Sequence, residues 1–302
     1  GGFDLLNEWM VRSEVRDALS KLYVRNLNTN TEEELVITDE KVISPGASLM
    51  QKDRNTNKLY VAYHSPKTPG KTYIYDVATK EKELVKTEIV PSGHNPDDYI
   101  VQRLNCDSHD GKKIPLTITR HKKTKLDGNA HLLLYGYGSY GASMGPGFSS
   151  SRLSLINRNI IWVTTHVRGG MERGMNWWKS GKLLKKMNSF KDYISSAKFL
   201  IEKKYTNKGK IIGMGGSAGG LLMGAVVNKA PELFLGIVMS VPFVDTLTTN
   251  LDRSLPLTVG EFGEFGNAKE NKEHFDYIRS YSPYENIKKM DYPHLFITTS
   301  LN

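Results

Sequence analysis

The sequence predicts an α/β protein in which a largely parallel, helix-covered sheet is preceded by a smaller antiparallel β region. Three observations predict it. Short aromatic and β-branched runs recur over roughly the first 85 positions, strands alternate with helical stretches from about residue 99, and two later strands are apolar throughout. Continuous apolar strands are typical of sheets covered on both faces. We expect one domain over residues 1–86 and a second over residues 87–302.

The antiparallel region contains four recognisable strands separated by polar turns. They are predicted over residues 22–24, 34–37, 58–63 and 72–76. Aromatic and β-branched residues alternate there with polar ones, which indicates an antiparallel meander. Four strands suffice for one or two blades of a β-propeller but are too few to close a ring, so we expect unpaired edges.

The second region has the pattern of a parallel α/β sheet. Strands are predicted over residues 99–104, 114–120, 131–135, 160–164, 210–214, 235–241 and 294–299, and helices over residues 189–204 and 218–229. Helical spacing places Phe190, Tyr193, Ala197 and Leu200 on one face of the first helix. Alternation of this kind predicts parallel strands joined by helical crossovers.

Composition and charge exclude several classes of protein. The chain has 302 residues, of which 39% are hydrophobic and 24% charged, so it is neither disordered nor fibrous. No apolar stretch approaches the roughly 18 residues of a membrane-spanning helix, and we expect no membrane association. The net charge of +9 includes basic clusters at residues 121–125, 182–186 and 203–210. A nucleic-acid site would gather basic residues on one face with stacking aromatics between them, whereas these clusters lie at predicted helix ends and loops, scattered among Glu and Asp. We therefore assign them to solvated surface and expect no nucleic-acid partner.

The single cysteine, Cys106, bears on the compartment. One cysteine permits neither an internal disulfide nor a thiolate metal site. A chain of this kind is typical of a reducing environment, and we expect a cytoplasmic location.

Residues 215–219 (GGSAG) are the segment most informative about chemistry. They form a G-x-S-x-G element between a short apolar strand and an apolar helix, which is the context of a nucleophile elbow. Small residues two positions before and after the serine let the backbones approach without Cβ clashes. We therefore predict that Ser217 is an exposed nucleophile near the positive end of the following helix. The alternative is a tight packing turn.

Residues 136–141 (GYGSYG) match the dinucleotide-binding pattern G-x-G-x-x-G formally. No helix is predicted to open at the end of this segment, and no acidic residue ends a second strand about 20 positions later. The context therefore excludes a nicotinamide site.

Residues 134–141 (LYGYGSYG) resemble the oxyanion loop of prolyl oligopeptidase-type serine peptidases, and four further segments resemble the same family in the same order. Those segments are residues 166–170, 181–184, 215–228 and 278–286. The details are most similar to the oligopeptidase B branch, also called protease II. The resemblance covers essentially the whole chain and implies an α/β-hydrolase domain preceded by the last blades of a β-propeller.

The resemblance also implies roles for individual residues. Ser217 would attack the scissile carbonyl, while the backbone N–H of Ala218 and the hydroxyl of Tyr137 would donate to the oxyanion. Glu261 falls where members that cleave after basic residues carry a carboxylate, which implies short peptide substrates cut after Arg or Lys. A core tyrosine and a surface glutamate are the alternatives for Tyr137 and Glu261. No metal or organic cofactor is implied.

The chain departs from the family at three glycines. Gly263 stands where the family has a second acidic residue near Glu261. Gly145 and Gly147 stand where relatives have two aspartates implicated in holding a second basic side chain. A preference for paired basic residues is therefore not implied.

The resemblance places the catalytic aspartate directly after residues 298–302 (TTSLN) and the catalytic histidine further on, so neither lies within the chain. His274 and His294 are the histidines that follow Ser217, and neither is suitably placed in the sequence to act as the base. We therefore expect a truncated catalytic domain that is inactive by itself. Two alternatives remain: a non-catalytic, peptide-binding remnant of a peptidase, or one half of a split enzyme completed by a separate C-terminal polypeptide.

Overall fold

The computed structural model describes residues 2–50 and 54–300, which divide into two compact units. The first unit runs up to Gln102 and includes Gly145–Ser154. The second comprises Arg103–Met144 and the chain from Leu155 onward. Leu301 and Asn302, which belong to the segment compared above with the approach to a catalytic aspartate, lie outside the described residues.

The first unit contains two four-stranded antiparallel sheets in which neighbouring strands are consecutive along the chain. The first sheet comprises β1 (Phe3–Leu6), β2 (Trp9–Arg16), β3 (Leu19–Asn26) and β4 (Glu32–Glu34). The second comprises β5 (Ser44–Leu49), β6 (Lys58–His64), β7 (Lys71–Asp76) and β8 (Lys82–Thr87). In β6, Leu59, Val61 and Tyr63 are buried while the residues between them are exposed, so one face of the sheet packs on the core. Four-stranded meanders of this kind are propeller blades.

The sequence predicted three of these eight strands, β3, β6 and β7. The strands β1, β2, β5 and β8 were missed. The four-residue β1 is short, β2 alternates apolar and polar residues only in part, β5 contains Pro45 and Gly46, and β8 is exposed along its whole length. The strand predicted over residues 34–37 is wrong, since β4 ends at Glu34. Leu35 and Ile37 are nevertheless buried, so these apolar residues pack in the core without forming a strand.

The second unit is built on a seven-stranded sheet in the order β15-β14-β13-β11-β12-β10-β9. Its strands are β9 (Tyr99–Asp107), β10 (Lys113–His121), β11 (Leu132–Tyr135), β12 (Ile161–Thr165), β13 (Ile211–Gly216), β14 (Phe234–Ser240) and β15 (His294–Thr298). The strands from β11 to β15 run parallel to one another, and β10 pairs antiparallel with β12. At one edge, β15 exposes all five of its residues.

Seven α-helices lie within the residues that the structure describes. They are α1 (Ser150–Ile156), α2 (Met175–Lys179), α3 (Met187–Glu202), α4 (Ala218–Lys229), α5 (Thr246–Leu251), α6 (Thr258–Phe265) and α7 (Lys272–Arg279). The predicted stripe of α3 is buried, from Phe190 to Leu200, because its spacing follows the helical period. The helix α4 is buried nearly all round and contacts β13 and β14. A parallel sheet with crossover helices, together with propeller-type blades, confirms the predicted fold class.

No helix in the part of the chain that the structure describes is long and apolar enough to span a membrane.

Candidate active site

Ser217 occupies the turn between β13 and α4, with φ 53° and ψ −120°, and its side chain is exposed. Its N–H donates to the carbonyl of Ser240 at 2.9 Å, and its own carbonyl accepts from Gly220 at 2.8 Å and Phe243 at 3.0 Å. These bonds hold the serine in a backbone conformation that non-glycine residues seldom adopt. Strain of this kind is common where a side chain must be presented to a ligand.

The glycines of the elbow are required by space. A Cβ atom on Gly215 would lie 2.3 Å from the carbonyl oxygen of Gly219, and one on Gly219 would lie 2.9 Å from the carbonyl oxygen of Gly136. Both distances are too short for a carbon atom, so three backbone segments meet here only because side chains are absent. This turn packs tightly and also leaves the serine hydroxyl open.

Tyr137 lies beside the elbow. Its ring packs against the turn, since a Cβ atom on Gly219 would lie 3.2 Å from Tyr137 Cδ2. Burial raises the pKa of Tyr137, against a smaller opposing effect of the nearby Ser217 side chain, and keeps the hydroxyl protonated. The N–H of Ala218 is the first of α4 and therefore has no acceptor within the helix. Two donors, one from a side chain and one at a helix N-terminus, thus adjoin the serine.

The loop of residues 136–141 is held against the loop that follows β12 by close backbone contact. Gly141 N–H donates to the carbonyl of Gly169 at 2.9 Å. A Cβ atom on Gly169 would lie 1.9 Å from the carbonyl oxygen of Gly138. The two loops therefore pack without intervening side chains, and this contact helps to fix the position of Tyr137.

A buried ion network anchors the second of these loops. The guanidinium of Arg168, which is only 2% exposed, donates to both carboxylate oxygens of Asp192, at 2.6 and 2.8 Å. It also donates to Asp110 at 2.6 Å. Paired charge-assisted bonds of this geometry offset the cost of burying the guanidinium.

The prediction that residues 182–186 belong to solvated surface is wrong for Lys186, which is only 1% exposed. Its ammonium donates to the carbonyl of Gly138 at 2.7 Å and to the hydroxyl of Ser139, and it lies 3.7 Å from the carboxylate of Glu264. Burial lowers the pKa of Lys186 to about 8 against the opposing effect of Glu264. A buried charge needs such partners, which a sequence alone does not reveal.

Glu261 lies in α6 and is half-buried. Its Oε1 atom accepts a hydrogen bond from the hydroxyl of Tyr140 at 2.8 Å. Burial, together with this bond, raises the pKa of Tyr140. Glu261 is thus linked directly to the loop that carries Tyr137.

The three glycines that depart from the family pattern differ in surroundings. Gly263 is exposed, and a Cβ atom there would meet nothing within 4 Å. Gly145 and Gly147 belong to the first unit, where a Cβ atom on Gly147 would lie 3.5 Å from the ring of His64.

Neither histidine downstream of the serine is brought to it. The Nδ1 atom of His274 accepts the N–H of Asn267 at 3.1 Å. His294 begins β15, whereas Thr298, four residues later, pairs with Ser240 beside the elbow. Four residues of a strand span roughly 13 Å, so His294 lies at the opposite end of the sheet.

Sequence reasoning missed Lys186 and Glu264. Lys186 precedes Phe190, Tyr193 and Ala197 by 4, 7 and 11 positions, which places it on the buried stripe of α3. That spacing was the available signal. Glu264 is only 4% exposed and accepts the indole N–H of Trp178 at 2.8 Å, but nothing in its sequence context indicates burial.

Within residues 2–50 and 54–300, no three acidic, histidine or cysteine side chains are grouped as a metal site would require.

A strand-to-helix serine elbow on a mostly parallel sheet is the architecture of the α/β-hydrolases. Residues 146–302 match the Prolyl oligopeptidase family, and residues 1–88 match the Prolyl oligopeptidase, N-terminal beta-propeller domain. The chain belongs to the prolyl oligopeptidase family of serine peptidases.

Relatives and solved structures agree with this assignment. The chain is 42% identical to dipeptidyl aminopeptidase BI of Pseudoxanthomonas mexicana over 99% of its own length and 41% of that protein. It is 42% identical to protease 2 of Moraxella lacunata over 85% of its length and 37% of that protein. Oligopeptidase B from Trypanosoma brucei, with covalently bound antipain, superposes on 98% of the chain with a TM-score of 0.91 and 37% identity, which covers 43% of that structure. The chain thus spans about two fifths of the length of these relatives, and the matches give no support to a separate complementing polypeptide.

The glycine requirement at the elbow can be tested by stability. We expect Gly215→Ala to lower the free energy of unfolding by at least about 1–3 kcal/mol, because its Cβ would overlap the Gly219 carbonyl. The matched control is Gly263→Ala, in the open middle of α6, which should raise stability by about 0.5–1 kcal/mol. Urea denaturation followed by circular dichroism measures both. Equal effects would contradict the argument.

The buried ammonium predicts a pH dependence of stability. The pKa of Lys186 is about 8 in the folded protein, below the value of about 10.4 for an exposed lysine. Between these values the unfolded chain binds more protons, so this residue's contribution to stability rises with pH and is lost as pH falls through 8. Thermal unfolding of the wild type and of Lys186→Met from pH 7 to pH 10 should show the wild type gaining stability relative to the variant. If the melting temperatures of the two proteins changed with pH in parallel, the lowered pKa of Lys186 would be contradicted.

Proposed function

We propose that Ser217 is the nucleophile of a serine oligopeptidase that hydrolyses short peptides through an acyl-enzyme. The observation that carries the proposal is the exposed serine on a glycine elbow, with the side chain of Tyr137 packed against the same elbow. Ser217 Oγ would attack the scissile carbonyl, and the amine product would leave before water releases the acyl group. Membership of a serine peptidase family supports this chemistry.

Tyr137 and the Ala218 N–H would stabilise the oxyanion of the tetrahedral intermediate. The tyrosine is proposed as a donor because it packs against the elbow that carries the serine and because burial raises its pKa, which keeps the proton in place. The Ala218 N–H would act from the positive end of α4. Both donors are fixed before substrate binds, so little reorganisation would accompany the reaction.

We propose that Glu261 binds an Arg or Lys side chain on the acyl side of the cleaved bond. A half-buried carboxylate can hold a guanidinium or an ammonium through charge-assisted hydrogen bonds. By the family resemblance, Gly145 and Gly147 stand where two carboxylates would extend this preference to paired basic residues, and Gly263 stands where a second acidic residue would accompany Glu261.

The domain division proposed here places propeller blades in residues 1–86 and the catalytic domain in residues 87–302. The match to the propeller domain ends at residue 88, which supports a boundary there. A cytoplasmic setting is also proposed, since the thiol of Cys106 is free and buried.

We also propose that these 302 residues alone do not turn over peptides. Neither His274 nor His294 reaches Ser217, and loss of a triad member typically costs about 10⁶ in turnover. Activity is therefore tested in the natural translation product that contains this chain.

The first test is labelling and turnover in that product. We expect a fluorophosphonate to label Ser217, Ser217→Ala to abolish labelling and hydrolysis, and Tyr137→Phe to lower kcat by about 10²–10³-fold. Ser240→Ala, a serine of the neighbouring strand, is the control and should be labelled normally. A folded protein that binds peptides without being labelled would favour the non-catalytic remnant.

The second test addresses specificity. We expect Glu261→Gln to lower kcat/KM for Arg-containing esters and amides by at least tenfold relative to substrates with an apolar residue at that position. Glu202→Gln, an exposed glutamate in α3, is the matched control and should leave the ratio unchanged. Equal loss for both substrates would assign Glu261 a structural role.

A second candidate activity is removal of dipeptides, because one relative with 42% identity is named a dipeptidyl aminopeptidase. Substrates with free and blocked N-termini distinguish dipeptide removal from endopeptidase activity. Cleavage of blocked substrates indicates an endopeptidase, and cleavage of free dipeptidyl substrates alone indicates the other activity.

A further inference from the structure

Lys186 is a buried charge to which the proposed reaction assigns no role. Its ammonium lies between the loop that carries Tyr137 and the helix α6 that carries Glu261. On the loop side it donates to Gly138 O at 2.7 Å and to the hydroxyl of Ser139. On the helix side it lies 3.7 Å from Glu264 Oε1.

Each partner of this ammonium is itself buried. Ser139 is fully buried and Glu264 is 4% exposed. Glu264 Oε2 is occupied by the indole N–H of Trp178 at 2.8 Å, while Oε1 has no hydrogen-bond partner in the described part of the chain and faces the ammonium. The Phe265 ring closes the site, with its centroid 5.4 Å from Lys186 Nζ. An apolar side chain of similar volume could fill this space without the cost of desolvating a charge.

The ammonium acts on the peptide group next to the proposed oxyanion donor. Gly138 directly follows Tyr137 and has φ +74°, a conformation in which its carbonyl is turned toward Lys186. Holding this carbonyl restrains the backbone on which the Tyr137 side chain is mounted. Two residues further on, Tyr140 donates to Glu261 at 2.8 Å and packs edge-on against Phe265.

The loop and α6 are therefore joined at two places. One junction is the ammonium of Lys186 with Glu264, and the other is the hydroxyl of Tyr140 with Glu261. The first junction is buried and charged, so it resists displacement; the second lies at the surface, where a substrate can reach it.

We propose that Lys186 is a positioning residue whose ammonium, paired with Glu264, fixes the Tyr137 hydroxyl at the place where the oxyanion forms and ties its loop to the helix that carries Glu261. The inference rests on the proposed peptidase function and deepens it. Lys186 touches no reacting atom and acts through Tyr137. Its loss should therefore reduce kcat and leave KM little changed.

The first experiment compares Lys186→Met with the wild type in the natural translation product. We expect kcat for a peptide substrate to fall about 10–100-fold, because small displacements of a catalytic donor cost this much, with KM changed less than about threefold. Lys229→Met, which removes an exposed lysine at the end of α4, is the control and should leave both constants unchanged. An unchanged kcat in folded Lys186→Met would overturn the inference.

The second experiment is a double-mutant cycle with Tyr137→Phe. If Lys186 acts through the Tyr137 hydroxyl, the double variant should lose little more activity than Tyr137→Phe alone. Additive losses would assign Lys186 a general structural role and overturn the inference.

If Lys186→Met does not fold, a second double-mutant cycle that uses Glu264→Gln in its place tests the inference. This change retains the acceptor for Trp178 and the shape of the side chain but removes the charge that faces Lys186. A non-additive cycle between Glu264→Gln and Tyr137→Phe supports the inference, and an additive one overturns it. Absence of Ser217-dependent turnover in the wild type would overturn the proposed function and this inference together, whereas turnover that is insensitive to both variants overturns the inference alone.

Discussion

Backbone segments of the second unit approach one another more closely than any side chain would permit, and the candidate site is built on that constraint. At the elbow, Gly215, Gly219 and Gly136 meet where a Cβ atom would stand 2.3–2.9 Å from a carbonyl oxygen. A second such contact joins Gly138 and Gly169. Because the first contact sets where the serine emerges and the second sets where the neighbouring loop lies, the separation between Ser217 and Tyr137 follows from backbone geometry.

Hydrogen bonds from buried side chains orient the carbonyl groups of the loops that the glycines bring together. Close backbone packing fixes the distance between two loops but not the direction of their carbonyl groups, which need donors. Ser189 donates to Arg168 O at 2.6 Å, and Lys186 donates to Gly138 O at 2.7 Å. Asp192, which pairs with Arg168, and Glu264, which faces Lys186, are themselves buried and hydrogen-bonded. The network therefore cannot relax toward solvent. Donors held in this way stabilise developing charge without reorganising.

The sequence predicted those features that depend on local pattern. The bounds of α4 and the exposure of Ser217 were predicted correctly, since an apolar strand, a glycine turn and an apolar helix all agree on one geometry. The strands β1, β2, β5 and β8 were not predicted, because β1 and β2 bury one residue each and β5 and β8 bury none, so their sequences carry little alternation. The burial of Lys186 depends on Gly138 and Glu264, which lie 48 and 78 positions away. The helical spacing along α3 could have indicated that Lys186 lies on the buried face, but only the tertiary contacts show which groups pair with its charge.

The contact between Tyr140 and Glu261 limits what a single carboxylate can recognise. One oxygen of Glu261 already accepts the tyrosine hydroxyl at 2.8 Å, and Gly263 supplies no second carboxylate. A guanidinium binds best when both oxygens of a carboxylate accept its parallel N–H donors, whereas an ammonium needs only one. A basic side chain bound here must either share Oε1 with Tyr140 or displace its hydroxyl, and displacement would release the loop at its solvent-facing junction with α6. Lys186 holds the other junction, so the proposed oxyanion donor stays in place whichever side chain is bound.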